Sequence, residues 1–256
     1  EGLRITREAF LFWPRKNGKT NFLAALGLYL LVADNEPGAE IIVCAADRAQ
    51  AGMIHEIQKQ MVLQSPLLME KVKVYRNSIV GKDGSFIQAR SADADTAHGY
   101  NAHAVLFDEL HSQPNRDLYD VMKTASGARR QPLFFSISTA GTNKESICYE
   151  VYDYAKKVRD GVIEDETFYP HIFEADEEAD IHNPKTWKKA NPGFGVTIKA
   201  DYIEAQAKKA KALVTYENTF RRLHLNQWTT SEVRWISDED YLSCSKDYKD
   251  YELEGR

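Results

Sequence analysis

A chain of 256 residues with a formal net charge of −5 is long enough to bury one substantial core and a smaller lobe. The charge excludes a surface that is basic overall, so contacts with nucleic acid must come from a local basic face. The three cysteines show no paired spacing, which excludes a disulfide framework and indicates a reducing compartment. The longest apolar run, residues 22–33, is too short to span a bilayer, so we expect no membrane association. Because the chain begins at Glu1 rather than Met, we expect a piece of a longer protein.

The first predicted elements are a strand over residues 9–13 and a helix over residues 21–33, whose leucines fall at helical spacing. The loop between them reads Trp-Pro-Arg-Lys-Asn-Gly-Lys-Thr. Such a loop presents unpaired backbone N–H groups at a helix start, Gly18 allows a close approach to phosphate oxygens, Lys19 reaches the β- and γ-phosphates, and Thr20 ligates Mg²⁺. The pattern is that of a Walker A phosphate loop.

One position departs from that pattern, since Trp13 stands where G-x-x-x-x-G-K-[ST] has its first glycine. The alternative is an ordinary strand-to-helix turn with a solvated lysine.

Strands and helices continue to alternate along the chain. The predicted strands are residues 40–46, 72–75, 78–80, 85–89, 104–107, 132–138 and 167–174, and the predicted helices are residues 48–63, 117–126 and 146–159. A polar loop over residues 91–103 precedes the fifth of these strands. This alternation predicts an α/β fold with an open, mainly parallel sheet between helices.

The apolar strand Ala-Val-Leu-Phe ends in Asp108 and Glu109, as parallel strands do where their carboxyl ends open onto a ligand crevice. In this Walker B-like position Asp108 is predicted to hold Mg²⁺, and Glu109 to polarise the water that attacks the γ-phosphate. The alternative is a strand that ends at the surface in two solvated acids.

From about residue 176 the chain changes to charged helical segments, residues 183–190, 200–211 and 216–223. We therefore predict an ATPase core over residues 1–175, a small helical lid or linker lobe over 176–235, and a tail over 236–256. Basic clusters on the lobe are candidates for DNA contact, although a solvated helix face explains each of them as well. They are Lys208, Lys209, Lys211, Arg221 and Arg222.

The phosphate loop, the acidic strand Leu-Phe-Asp-Glu-Leu-His, the sequence Ser-Thr-Ala-Gly at 138–141 and Leu-Asn-Gln-Trp at 225–228 together resemble the ATPase (motor) domain of a tailed-bacteriophage large terminase subunit. That family commonly lacks the first glycine of the loop. The resemblance implies a P-loop NTPase of the RecA-like, catalytic-glutamate type. It also implies ATP and Mg²⁺ as cofactors, and ATP hydrolysis that drives double-stranded viral DNA into a procapsid.

The resemblance also implies a role for each matching residue. Arg15, Lys16, Asn17, Gly18, Lys19, Thr20 and Asp108 match the nucleotide and Mg²⁺ site, Glu109 matches the catalytic carboxylate, and Thr139, Ala140 and Gly141 match the motif that couples hydrolysis to movement. The family motor is a ring in which an arginine from a neighbouring subunit stabilises the transition state. Arg129 and Arg130 are our candidates for it, with a structural loop charge as the alternative.

Further partners implied by the resemblance are the portal protein of the procapsid, the small terminase subunit and copies of the same chain, in the host cytoplasm. The family's adenine-contacting segment lies upstream of the phosphate loop, and an RNase H-like nuclease domain lies downstream. Neither is expected in this chain, so we expect no DNA cutting.

Three other functions compete. Asp108 to His111 also spells a DExH box, which suggests a helicase, although such enzymes need a second sheet domain. A zinc site is suggested by His98, His103, Asp108 and His111, although no H-E-x-x-H spacing is present. Asp93 and Asp95 form a candidate acid pair in the polar loop. The third alternative is an assembly module that docks on a portal with a vestigial nucleotide site.

Overall fold

The computed structural model describes residues 2–91, 99–230, 241 and 243–244. In this part of the chain, eight strands form one sheet. In chain order β1 to β8 they are Glu8–Phe12, Glu40–Ala45, Val72–Val74, Ser78–Gly81, Phe86–Ser91, Ala102–Phe107, Leu133–Ser138 and Phe168–Ile172. Their order across the sheet is β3-β4-β5-β2-β6-β7-β1-β8.

Six neighbouring strands in this spatial order, β5, β2, β6, β7, β1 and β8, are all parallel. The strands β3 and β4 add an antiparallel hairpin at one edge. Every residue of β6 and β7 is buried, because helices cover both faces of the sheet. The prediction of a mainly parallel sheet between helices is confirmed. The carboxyl ends of β1, β6 and β7 consequently open onto one edge, where a ligand crevice is expected.

Eight α-helices follow the strands in the described residues. In chain order α1 to α8 they are Lys19–Val32, Arg48–Leu63, Pro66–Lys71, Asp117–Thr124, Ile147–Arg159, Pro184–Ala190, Ala200–Ala212 and Val214–Leu225. A single 3-10 turn, Leu110–Ser112, follows β6. Helix α3 was not predicted from the sequence. It begins with Pro66 in its first turn, and the hydroxyl of Ser65 accepts from the backbone N–H of Leu68.

The side chains of β1 alternate between two cores. Ala9 and Leu11 pack with α1 and α2 on one face, and Phe10 and Phe12 pack with α4 and α5 on the other. This alternation follows from the two-residue period of a strand, and burial on both faces explains why β1 is apolar from Ala9 to Phe12.

The helices α6, α7 and α8 form a lobe with a third apolar core of its own. Trp187, Ile203, Phe220 and Leu225 are buried in it. The predicted boundaries at residues 175 and 235 remain predictions, and most of the tail over 236–256 lies outside the described residues, as do Asp93, Asp95 and His98. None of the helices that the structure describes is long and apolar enough to traverse a membrane.

Candidate active site

The loop from Trp13 to Gly18 turns the chain from β1 into α1 at the carboxyl edge of the sheet. Gly18 has φ 80° and Lys16 has φ 67°, both in the left-handed region. A Cβ at Gly18 would meet nothing within 4 Å, so the backbone angle rather than space favours glycine there. The first N–H groups of α1, which have no partner within a helix, point out of this turn with the positive end of the helix dipole. The turn is therefore shaped to bind an anion.

The side chain of Trp13 explains how the loop dispenses with its first glycine. Its indole N–H donates to Nδ1 of His171 at 3.0 Å, and its ring packs against Phe22 and Phe173. These contacts place the indole on the β8 side, and Trp13 does not line the cavity described below.

Lys19 is almost fully buried and points back across the loop. Its Nζ lies 3.4 Å from Oε1 of Glu109 and donates to the carbonyl oxygens of Trp13 and Pro14 at 3.3 and 3.4 Å. Burial lowers the pKa of Lys19, and the charges of Glu109 and Asp108 offset part of that effect. The lysine thus joins the loop to the acidic end of β6.

Asp108 is fully buried at the end of β6. Its Oδ2 accepts hydrogen bonds from the Thr20 hydroxyl at 3.4 Å and from Nε2 of Gln50 at 3.5 Å, whereas its Oδ1 has no partner among the described residues. Burial and the neighbouring charge of Glu109 raise the pKa of Asp108 to about 6. A buried carboxylate oxygen without a protein partner, beside a threonine hydroxyl, is the kind of oxygen donor set that fits Mg²⁺.

Glu109 is held by three groups. Its Oε2 accepts from the Thr139 hydroxyl at 3.2 Å and lies 3.3 Å from Nδ1 of His111, while its Oε1 faces Lys19. Burial acts to raise the pKa of Glu109, but the hydrogen bond from His111 and the charge of Lys19 outweigh it and lower the pKa to about 2. The carboxylate therefore stays ionised at neutral pH.

Ser138 also belongs to this network, although it was not predicted as a site residue. The Ser138 hydroxyl accepts from the backbone N–H of His111 at 3.0 Å and lies 3.1 Å from its Nδ1. His111 was quoted in the acidic-strand motif and in the zinc and DExH hypotheses, but it was not predicted to contact Glu109. Its position two residues after Glu109 was the available signal.

The phosphate loop, the acidic end of β6 and His111 line a cavity of about 1000 Å³. Of the predicted site residues, it contains Arg15, Lys16, Gly18, Lys19, Thr20, Asp108 and Glu109. Asp47, Gln50 and Met53, at the start of α2, and Thr197 of the lobe also line it, and none of these was predicted. Asn17 does not line the cavity, because its amide is buried inside the loop, and its role at the nucleotide stays a prediction.

The predicted coupling residues connect the cavity to the lobe. Thr139 contacts Glu109, the backbone N–H of Ala140 donates to Oδ1 of Asn226 at 2.9 Å, and a Cβ at Gly141 would lie 3.1 Å from the Trp228 ring. Gly141 therefore permits a close approach of the lobe's last segment.

Arg129 lies at the opposite edge of the sheet from the cavity, among the amino ends of the parallel strands. Its guanidinium donates to the carbonyl oxygens of Asn101 and Gly38 at 2.7 and 2.8 Å and pairs with Glu36 at 3.5 Å. Arg129 does not reach the cavity of its own chain, and the neighbouring Arg130 does not line that cavity either. Their action on a neighbouring subunit remains a prediction.

The described part of the chain contains no cluster of metal ligands that would support the zinc hypothesis. No group of three or more His, Cys, Asp or Glu there could hold a metal ion. His103 is buried and its Nε2 lies 2.5 Å from Oδ2 of Asp34, at the amino edge of the sheet and away from Asp108. The helicase hypothesis requires a second sheet domain. In the described residues after Gly141, β8 is the one named strand, and it joins the existing sheet.

Comparisons with known proteins agree with this geometry. A sequence profile described as "Terminase large subunit, ATPase domain" matches residues 2–157, and one described as "Terminase large subunit, endonuclease domain" matches residues 162–256. A curated relative, the terminase large subunit of Enterobacteria phage HK97, is 32% identical over 247 residues, which cover 94% of this chain. The chain spans about half the length of that relative, 48%.

Solved structures give the same picture. The crystal structure of the HK97 bacteriophage large terminase superposes with a TM-score of 0.80 at 32% identity, over 87% of this chain and 47% of that one. The large terminase from a thermophilic bacteriophage, in complex with ATP-gamma-S, has a TM-score of 0.54 at 13% identity over 88% of this chain and 48% of that one. The second likeness shows the fold alone, and the predicted fold class is confirmed.

Proposed function

This chain belongs to the terminase large subunit family, and from that membership and the geometry of the cavity we propose that it binds and hydrolyses ATP to drive double-stranded viral DNA into a procapsid. One observation carries the proposal. The phosphate loop and the acidic end of β6 converge, with Nζ of Lys19 3.4 Å from Glu109 and the Thr20 hydroxyl 3.4 Å from Asp108.

The N–H groups at the start of α1 and the Lys19 ammonium bind the triphosphate, and Arg15 and Lys16 add positive charge along the cavity wall. Thr20 and Asp108 hold Mg²⁺, which when bound neutralises charge on the phosphates. Glu109 accepts a hydrogen bond from the attacking water and orients it. Because its pKa is low, it acts by positioning and charge more than by retaining the proton.

Thr139 and Ala140 carry the effect of hydrolysis to the lobe. Hydrolysis changes the charge that faces Glu109, and the carboxylate of Glu109 is the hydrogen-bond acceptor of the Thr139 hydroxyl. The backbone N–H of the next residue, Ala140, donates to Asn226 at the end of α8. The coupling motif is thus a continuous chain of contacts between the cavity and the lobe.

The further partners follow from family membership. They are double-stranded DNA, the portal protein, the small terminase subunit and neighbouring copies of the chain in a ring, in the host cytoplasm. Arg129 or Arg130 of a neighbouring copy is proposed to complete the cavity. The endonuclease profile matches residues 162–256, so our expectation that this chain does not cut DNA stays a prediction.

The substitution Glu109→Gln tests the hydrolysis mechanism. It removes the charge and the acceptor for water but keeps the side-chain volume, so we expect ATP turnover to fall at least about a hundredfold, while binding of ATP-gamma-S changes by less than about threefold. Phosphate release and calorimetric titration measure the two quantities.

The matched control is Glu174→Gln. Glu174 is a half-buried carboxylate outside the cavity that accepts from the Tyr152 hydroxyl at 2.6 Å. Its turnover is expected to match that of the unmodified chain. Unchanged turnover in Glu109→Gln would remove the proposed role of this carboxylate.

A further inference from the structure

The lobe contacts the phosphate loop through the turn Asn191-Pro192-Gly193. None of the functions described above uses this turn. Nδ2 of Asn17 donates to Oδ1 of Asn191 at 2.8 Å, and Oδ1 of Asn17 accepts from the backbone N–H of Gly193 at 2.9 Å. Asn17 is 6% exposed and Asn191 is 1% exposed. The amide of the loop is therefore paired with the lobe on both its donor and its acceptor side.

Asn191 connects this contact to the rest of the lobe. Its Nδ2 donates to the carbonyl oxygens of Trp187 in α6 and His224 in α8, at 2.9 and 2.8 Å. A second link lies beside it, where the backbone N–H of Arg15 donates to the carbonyl oxygen of Leu223 at 3.0 Å. One buried amide thus joins two lobe helices to the loop.

The loop needs such support. Lys16 adopts a left-handed backbone, which is unfavourable for a residue that carries a Cβ, and Asn17 holds the turn by donating also to the carbonyl oxygens of Pro14 and Arg15 at 3.2 and 3.1 Å. Moving the lobe away breaks the two hydrogen bonds that cross between them, so that Oδ1 of Asn17, Oδ1 of Asn191 and the backbone N–H of Gly193 lose these partners, which is unfavourable for buried polar groups. The shape of the loop and the position of the lobe are therefore coupled.

Resting on the proposed function, we propose that Asn17, Asn191 and Gly193 form a latch through which nucleotide in the cavity and the position of the helical lobe control each other. Asn191 and Gly193 are positioning residues, because they contact the loop and not the cavity. Coupling of this kind is reciprocal, so the lobe tightens nucleotide binding and nucleotide tightens the lobe. This route is separate from the coupling motif, which reaches the lobe through Asn226.

Nucleotide affinity tests the first half of the latch. In Asn191→Ala we expect calorimetric titration with Mg²⁺ and ATP-gamma-S to give about tenfold weaker binding, the effect of losing roughly one buried hydrogen bond. The matched control is Asn183→Ala, which removes the cap of the same helix α6, where its side chain accepts from the backbone N–H of Lys185, but has no contact with the loop. An equal loss in the control would mean that lobe stability alone matters, and would overturn the latch.

A double-mutant cycle tests whether the two amides act as one unit. Asn17→Ala is expected to weaken binding to a similar extent, and the double variant to bind within about twofold of the weaker single variant. Multiplied losses, about a hundredfold, would contradict the latch.

Hydrogen exchange measures the reverse direction. With ATP-gamma-S bound, the amides of α8 are expected to exchange about tenfold more slowly in the unmodified chain, and this protection is expected to vanish in Asn191→Ala. If Asn191→Ala does not fold, Asn17→Ala replaces it, because it removes both hydrogen bonds of the latch from the side of the loop. Equal protection in chain and variant would overturn the latch, whereas an unmodified chain that binds no ATP-gamma-S would overturn the proposed function itself.

Discussion

At the scale of single residues, Asp108 and Glu109 are neighbours whose acidities are shifted in opposite directions. Asp108 is buried, one of its oxygens has no partner among the described residues, and its pKa rises to about 6. Glu109 is paired with His111, Thr139 and Lys19, and its pKa falls to about 2. Environment therefore gives two adjacent carboxylates different tasks, one suited to a cation and one to a water molecule.

The raised pKa predicts that Asp108→Asn stabilises the nucleotide-free protein. At pH 7 the buried charge of Asp108 is unfavourable, and removing it is expected to increase the free energy of unfolding by about 1–3 kcal/mol. ATP turnover is expected to be lost in the same variant. Urea denaturation and phosphate release measure the two effects.

The pH dependence of the free energy of unfolding follows from the direction of the Asp108 pKa shift. Between pH 3.8, the usual pKa of an aspartate, and about 6, the folded protein binds more protons at this site than the unfolded chain, so its stability falls as the pH rises. The advantage of Asp108→Asn is therefore full above about pH 6 and absent below about pH 4. The exposed Asp117→Asn serves as control, and an advantage that persists at low pH would contradict the assignment.

At the scale of secondary-structure elements, two glycines in neighbouring helices differ in the space around them. Gly27 lies where α1 meets α2 and β6, and a Cβ there would lie 2.8 Å from Nε2 of Gln58 and 3.3 Å from Cδ1 of Leu106. Gly52 lies in α2 with nothing within 4 Å of its missing Cβ. Close packing explains the first glycine, and we have no physical account of the second.

The two alanine variants are expected to change stability in opposite directions. Gly52→Ala gains helix propensity and is expected to raise the free energy of unfolding by about 0.5–1 kcal/mol. Gly27→Ala gains the same propensity but overpacks the interface, so a net loss of about 1 kcal/mol is expected. Thermal and urea denaturation measure both, and a stabilised Gly27→Ala would show that Gln58 yields without cost.

At the scale of the whole molecule, the lobe is fastened to the sheet at a few buried amides. Asn226, with φ 57°, is fully buried, accepts from the backbone N–H of Ala140, and donates to the carbonyl oxygen of Phe173 at 2.9 Å. It ends α8 in a left-handed conformation that asparagine tolerates better than most residues. One side chain therefore ends a helix and bridges the segments after β7 and β8.

Two substitutions separate these roles. Asn226→Gly keeps the left-handed backbone but leaves two buried backbone groups unpaired, with an expected loss of about 2 kcal/mol, and Asn226→Ala is expected to lose about 1 kcal/mol more. Asn35, with φ 55°, is the matched site, where Gly is expected to be neutral and Ala to cost about 1 kcal/mol. Equal losses at the two sites, measured by urea denaturation, would remove the bridging role of Asn226.

The sequence by itself determined the alternating strands and helices, the mainly parallel sheet, the phosphate loop at Gly18 and the acids at 108 and 109, because local periodicity, a helix start and a strand end are written in neighbouring residues. Helix α3 was not predicted, because it is a single short segment without an apolar stripe. Only the tertiary structure decided that Trp13 turns towards His171, that Arg129 lies at the far edge of the sheet, and that Asn17 pairs with Asn191. Those contacts join residues far apart in the chain, and no periodic pattern encodes which buried amide meets which.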